Sequence, residues 1–269
     1  KCFDQIDSLS NEVAKWVALM SKFWRCRSQR LDVLKQAEQQ AHMLENRINT
    51  DSHSFVFFKV ADAFNALDKY EEAIASYDQA LAIKLDKCEA WGNRGNALLN
   101  LGRNEEAIAS YDKVIQIKPD DYRAWGHQGI VLGNLGRYEE AIAAFDKSLQ
   151  IKPDFHEAWN NRGIALGNLG KHEEAISSYD KSLQIKPDFH EAWHNLVVVL
   201  GNLERYEEVI TSYDKALQIK PDKHEVWYNR GVVLVNLGRY EEAIASYDKV
   251  LQIKPDDHNA FRGRGIPLT

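Results

Sequence analysis

From residue 54 onward the apolar and polar positions of this chain return every 34 residues without insertion. Trp91, Trp125, Trp159, Trp193 and Trp227 mark one place in five copies, and Phe57 and Phe261 hold that place at either end. A fixed period of this length means stacked supersecondary units, each burying its apolar face against the next. Full copies run 54–87, 88–121, 122–155, 156–189, 190–223 and 224–257, with 258–269 a partial seventh. Residues 1–53 do not repeat. There Ile6, Leu9, Val13, Trp16, Met20 and Phe23 are spaced three and four apart, and Leu34, Ala37, Ala41, Leu44 and Ile48 form a second stripe. Two helices in a hairpin are expected, turning within 25–30 and followed by a linker and helix start at 51–54. Their stripes are expected to pack on each other and on the first repeat; a dimerising coiled coil is the other reading.

Punctuation inside each copy predicts two helices. The first opens at an Asp-x-x-Glu pattern: Asp86 with Glu89, Asp154 with Glu157, Asp188 with Glu191, Asp222 with Glu225. Such an aspartate can accept from an unpaired N–H of the first turn while the glutamate reaches back. The helix closes at Gly102, Gly136, Gly170 or Gly238, where a left-handed cap is permitted. The second helix begins with paired glutamates, such as Glu105 and Glu106, and ends at a lysine followed in most copies by proline. Gly95, Gly129, Gly163 and Gly231 should let helices approach closely, with aromatic rings filling the space beside them. The fifth copy departs: Val197 replaces that glycine, Glu204 the capping glycine and Val209 the alanine at the second crossing. Wider helix spacing is expected there.

The sequence Trp159, Gly163, Ala175, Tyr179, Ser182, Pro187, matched by Trp91, Gly95, Ala107, Tyr111, Val114, Pro119, resembles the tetratricopeptide repeat over residues 54–269. The wording Asn-Arg-Gly-Ile-Ala-Leu-Gly-Asn-Leu-Gly, then Glu-Glu-Ala-Ile-Ala-Ser-Tyr-Asp-Lys, is similar to arrays in bacterial, especially cyanobacterial, multidomain signalling proteins. The resemblance implies an all-α fold, a right-handed α-solenoid of helix–turn–helix repeats preceded by the helical hairpin. It also implies that the first helix of each repeat lines a concave groove. Positions expected to meet a ligand are Asn96, Ile130, Asn134, Asn160, Ile164, Asn168, His194, Val198, Asn202 and Tyr228. A strip of Ile and Val beside a row of asparagines would suit an extended peptide or partner helix. The same asparagines could instead satisfy neighbouring helix carbonyls, and both readings stand.

Composition narrows the chemistry. The net charge of -6 disfavours nucleic acid, whose binding draws on Lys and Arg. No 18-residue apolar run is present, so no membrane span is expected. Cys2, Cys26 and Cys88 are odd in number and scattered, which fits a reduced, cytoplasmic setting. His190-Glu191-Ala192-Trp193-His194 matches the zinc-protease pattern His-Glu-x-x-His. The equivalent stretches, however, read Asn160 and Tyr228 where His194 stands, so the repeat explains the match. His156, His190, His224 and His258 are expected to form a solvated row at the helix starts. We therefore expect no catalytic residue, metal or cofactor. The expected function is non-catalytic protein binding in the groove, as the sensor or docking arm of a larger bacterial signalling or defence protein. A free-standing array that self-associates through residues 1–53 or the last repeat is the alternative; a metal-dependent hydrolase is a third.

Overall fold

The computed structural model describes residues 13–23, 30–44 and 50–265, and among these every regular element is helical. Ile6, Leu9, Ile48, Cys2 and Cys26 lie outside the described residues. The chain divides into two compact units, residues 1–151 and 152–269.

In the first unit, residues 13–23 form α1 and Arg30–Met43 forms α2. Three hairpins follow: α3 (Thr50–Asn65) with α4 (Tyr70–Ile83), α5 (Cys88–Asn100) with α6 (Asn104–Ile117), and α7 (Tyr122–Asn134) with α8 (Tyr138–Ile151). The second unit pairs α9 (His156–Asn168) with α10 (His172–Ile185), α11 (His190–Asn202) with α12 (Tyr206–Ile219), and α13 (His224–Asn236) with α14 (Tyr240–Ile253). The short α15 (His258–Arg264) packs on α14 and α13. Within each unit consecutive helices are neighbours, the packing of an α-solenoid. Among the described residues no helix is long and apolar enough to cross a membrane.

The described stripes of the leading hairpin do pack inward. Trp16, Met20, Phe23, Leu34, Ala37, Ala41 and Leu44 share one buried cluster with Val56, Phe57 and Phe64 of α3. Phe57, in the tryptophan place of the first repeat, meets the His42 ring edge-on at 4.9 Å between centroids. The expected linker at 51–54 is instead helical, since α3 already begins at Thr50. His53 and Ser54 are buried against α2 and α4, where Ser54 donates to the Ala80 carbonyl at 2.8 Å. Packing against these neighbours carries the helix through a stretch whose composition reads as a start signal.

First helices end as expected. Gly102, Gly136, Gly170 and Gly238 have φ between 72° and 74°. At the first of these, Gly102 N–H donates to Leu99 and Arg103 N–H to Leu98, both at 2.9 Å, the two bonds of a Schellman motif. Asp68 and Glu204 adopt the same left-handed turn at φ 56° without being glycine.

The helix starts differ from expectation. Lys87, Phe155, Phe189 and Lys223 occupy the cap position and make no side-chain cap bond. The aspartates expected to cap stand one residue too early, in the turn after proline or, for Asp86, after Leu85, and Asp188 instead receives Lys220 Nζ at 2.5 Å. Side-chain caps form only where aspartate sits at the cap itself among the described first helices: Asp121 accepts from the N–H of Arg123 and Ala124, and Asp257 from those of Asn259 and Ala260. The turn is tied by tryptophan instead. The indole N–H of Trp125, Trp159, Trp193 and Trp227 donates to the carbonyl of Pro119, Pro153, Pro187 and Pro221 at 2.8–3.0 Å. Trp91 does the same to Leu85 at 2.8 Å.

Close packing follows the glycines. A Cβ built on Gly95, Gly129, Gly163 or Gly231 would lie 2.6–2.7 Å from the ring of Tyr111, Phe145, Tyr179 or Tyr247. No side chain fits there without moving the ring. In the fifth repeat Val197 occupies this position, and α11 and α12 approach less closely than the helices of the other hairpins. The expected widening is present.

Candidate functional site

Arginine at the seventh repeat position fixes one repeat to the one before it. Arg94 donates to Asp78 at 2.6 Å and Ser110 at 2.7 Å, and Arg230 to Asp214 and Ser246 at 2.7 and 2.8 Å. Gln128 replaces the arginine in the third repeat and still reaches Asp112 at 2.7 Å. These bonds fix each first helix to the second helices on either side of it, and that register determines which side chains share a groove.

In the first unit α3, α5 and α7 flank a cleft of about 660 Å³. Gly92, Tyr111 and Val114 form its floor; a Cβ on Gly92 would meet only Val114, at 4.0 Å. On one wall Asp62 accepts from Tyr77 Oη at 2.9 Å, Asn93 Nδ2 at 3.1 Å and Lys59 Nζ at 3.2 Å. Deeper in, Tyr111 Oη donates to Asn96 Oδ1 at 2.7 Å. That bond orients the Asn96 amide and leaves its NH₂ group without a partner among the described residues. Burial holds the Tyr77 and Tyr111 phenols protonated far above the usual range, so both remain donors. On the opposite wall burial pushes the His127 imidazole down, favouring its neutral form, and pushes the Cys88 thiol up. The cleft can therefore offer neutral amide, imidazole and phenol groups above an apolar floor, with Lys59, Lys118 and Arg123 interspersed with Glu89 and Asp121 around them.

Of the residues expected from sequence, Asn96 lines this cleft, while Ile130 is half-buried and Asn134 exposed on α7. The other seven belong to the second unit. Ile164 and Val198 are 40% and 45% exposed, and Asn202 is exposed. Asn168 Nδ2 donates to the Ile164 carbonyl one turn back at 2.9 Å. Asn160 is only 4% exposed and accepts from Asn195 Nδ2 at 3.0 Å, bridging α9 and α11. His194 lines a pocket of about 290 Å³. Tyr228 lines another of about 350 Å³ beside Val232, its ring 5.7 Å from that of Tyr247. Sequence reasoning missed Asn93, Arg123, His127, Tyr213, Glu225 and Asn229. They stand at the second, sixth and twenty-fourth repeat positions, and all but the tyrosine reach a groove from an adjoining first helix.

The histidine row is not uniformly solvated. His156 packs edge-on against Phe189 with centroids 4.9 Å apart, and burial lowers its pKa despite Glu157 at 3.0 Å. His190 and His194 are exposed on α11, and no group of three or more His, Cys, Asp or Glu able to hold a metal occurs among the described residues.

Helical hairpins stacked in register, with tryptophan-tied turns and glycine–tyrosine crossings, define the class as a helix–turn–helix repeat array. Tetratricopeptide repeat profiles match residues 58–122, 93–154, 156–189 and 224–257, and a TPR repeat profile matches 199–238. The chain belongs to the tetratricopeptide repeat family. No curated protein sequence matches it. Similar solved structures include the C-terminal part of a TPR repeat-containing protein from Cytophaga hutchinsonii, with 15% identity and a TM-score of 0.68 over 92% of this chain and 98% of that one. A MamA protein matches at 20% identity and a TM-score of 0.58, over 64% of this chain and 94% of its own. YrrB, described as a TPR protein with an unusual peptide-binding site, matches at 22% and 0.50 over 70% and 97%. At these identities the likeness is one of fold.

Proposed function

We propose that this chain is a protein-interaction scaffold without chemistry of its own, which takes an extended peptide segment in the cleft between α3, α5 and α7. The observation that carries the reading is the cleft itself. Gly92 opens its floor to an incoming side chain, and the Asn96 NH₂ group and the Asn93 carbonyl oxygen offer a donor and an acceptor to a peptide backbone. The fold likeness to YrrB, whose own description names a peptide-binding site, supports the same reading. In the second unit, exposed Ile164 and Val198 with Asn202 nearby form the apolar strip and polar edge that a partner helix could cover. The repeat wording supports a docking arm of a larger bacterial signalling protein, working in the cytoplasm.

Panning a displayed random-peptide library on the immobilised chain tests this, with a Gly92→Leu chain as the counter-screen. Leucine fills the cleft while its Cβ meets only Val114. Enriched peptides should bind the Gly92→Leu chain at least tenfold more weakly, at unchanged helicity. Equal binding to both chains would remove the cleft as the site, and failure to enrich any sequence would remove peptide recognition altogether.

A further inference from the structure

The second unit holds a pocket of different character. Between α11 and α13 it encloses about 290 Å³, lined by His190, Trp193, His194, Tyr213, Glu225 and Asn229, with Val226. Six of these residues stand three periods after Cys88, Gly92, Tyr111, Arg123, Ala124 and His127 of the first unit's cleft, so the two can be compared position by position. Arg123 has become Glu225, Gly92 has become His194, and His127 has become Asn229. Lys59, Lys118 and Arg123 line the cleft together with Asp62, Glu89 and Asp121, whereas the pocket is lined by one carboxylate and no lysine or arginine.

Tyr213 differs from its counterpart in the cleft. Its counterpart Tyr111 donates to Asn96, the ninth residue of its repeat. In the fifth repeat the ninth residue is Val198, which offers no acceptor side chain. Tyr213 is only 6% exposed, and its hydroxyl has no hydrogen-bond partner among the described residues. Its ring is buried while its hydroxyl reaches the pocket, so the oxygen is open to a ligand there. Together these groups form walls of indole and phenol, with a carboxylate and an amide close by. Glu225 is held near the helix start by His224, whose Nδ1 lies 3.2 Å from its Oε2.

We propose that this pocket binds the guanidinium group of an arginine side chain presented by a partner polypeptide. Guanidinium is planar, is weakly hydrated compared with ammonium, and stacks on aromatic faces. Its parallel N–H groups match a carboxylate two at a time, as Glu225 can offer. The Tyr213 oxygen and the Asn229 carbonyl can accept the remaining donors. This site belongs to the other unit and shares no residue with the cleft, so it stands whether or not the cleft reading does.

The test is an NMR titration of the full ¹⁵N-labelled chain with N-acetylarginine methylamide, read at the Trp193 indole N–H and the amides of α11 and α13. The uncharged isostere N-acetylcitrulline methylamide is the control. Arginine should give saturable shifts, with citrulline at least tenfold weaker. Glu225→Gln should weaken arginine binding at least fivefold, and Tyr213→Phe should weaken it less. A Gly92→Leu chain should bind arginine as the wild type does, which separates this site from the cleft. Equal shifts with citrulline, an unaffected Glu225→Gln chain, or no shift at these signals would each overturn the assignment.

Discussion

In the second repeat Gly95 lies under the Tyr111 ring, whereas the fifth repeat carries Val197 there and its two helices stand farther apart. The differences come as a set. Arg94 ties the second repeat to Asp78 and Ser110; the fifth has Leu196 in that place, and Asp180 of the preceding repeat has no cation bonded to it among the described residues. Burial raises the pKa of that carboxyl, against the opposing pull of the Lys215 charge. Gly102 takes the left-handed turn with ease, while Glu204 takes it with a side chain. Ala107 has become Val209 at the second crossing. Once the glycine crossing is lost, the helices separate and a larger residue at the other crossing fits. The pocket beside Tyr213 adjoins this altered hairpin. Regular repeats are thus packed for close approach, and the departing one combines wider spacing with an open pocket beside it.

Three exchanges between the two repeats would break or sharpen that contrast. Gly95→Val should have the largest effect, because its Cβ would begin 2.7 Å from the Tyr111 ring. A loss of about 3 kcal/mol is expected from such overpacking, read by urea titration with hydrogen exchange at α5 and α6 as the local signal. A cost below about 0.5 kcal/mol would mean that valine at this position does not part the helices. Arg94→Leu should cost about 1 kcal/mol, since it removes two short bonds whose partners are partly solvated. The loss should appear as faster exchange where α5 meets α4 and, around Ser110, α6. Smallest, Glu204→Gly should stabilise the fifth repeat by about 0.5 kcal/mol by relieving the left-handed turn. A destabilising outcome would show that the Glu204 side chain makes a favourable contact of its own.

The architecture was legible because the period is long, regular and physically consistent: tryptophan, glycine, tyrosine and proline each mark a packing event that recurs. The abnormal width at Val197 was legible for the same reason. Helix starts were misread because an aspartate after proline looks like a cap, yet the helix begins one residue later than that pattern requires. The site was only partly legible. Asn96 was found, but periodicity alone does not show that Asn168 bonds its own helix or that Asn160 is buried beneath Asn195. Arg123, Glu225 and Asn229 contribute to a groove from the following helix, so finding them needs the packing register as well as the repeat.

The tryptophans have one further consequence. Each of five turns between repeats is closed by an indole hydrogen bonded to a turn carbonyl. The array therefore carries a built-in fluorophore and a distinct indole proton resonance at every such junction. Phe57 and Phe261 already fill the same position with a non-emitting ring, so phenylalanine at four of the five sites, together with replacement of Trp16 and Trp24, would leave a single junction visible to spectroscopy. Five such variants would turn the unfolding of the chain into a spatially resolved readout, one turn at a time.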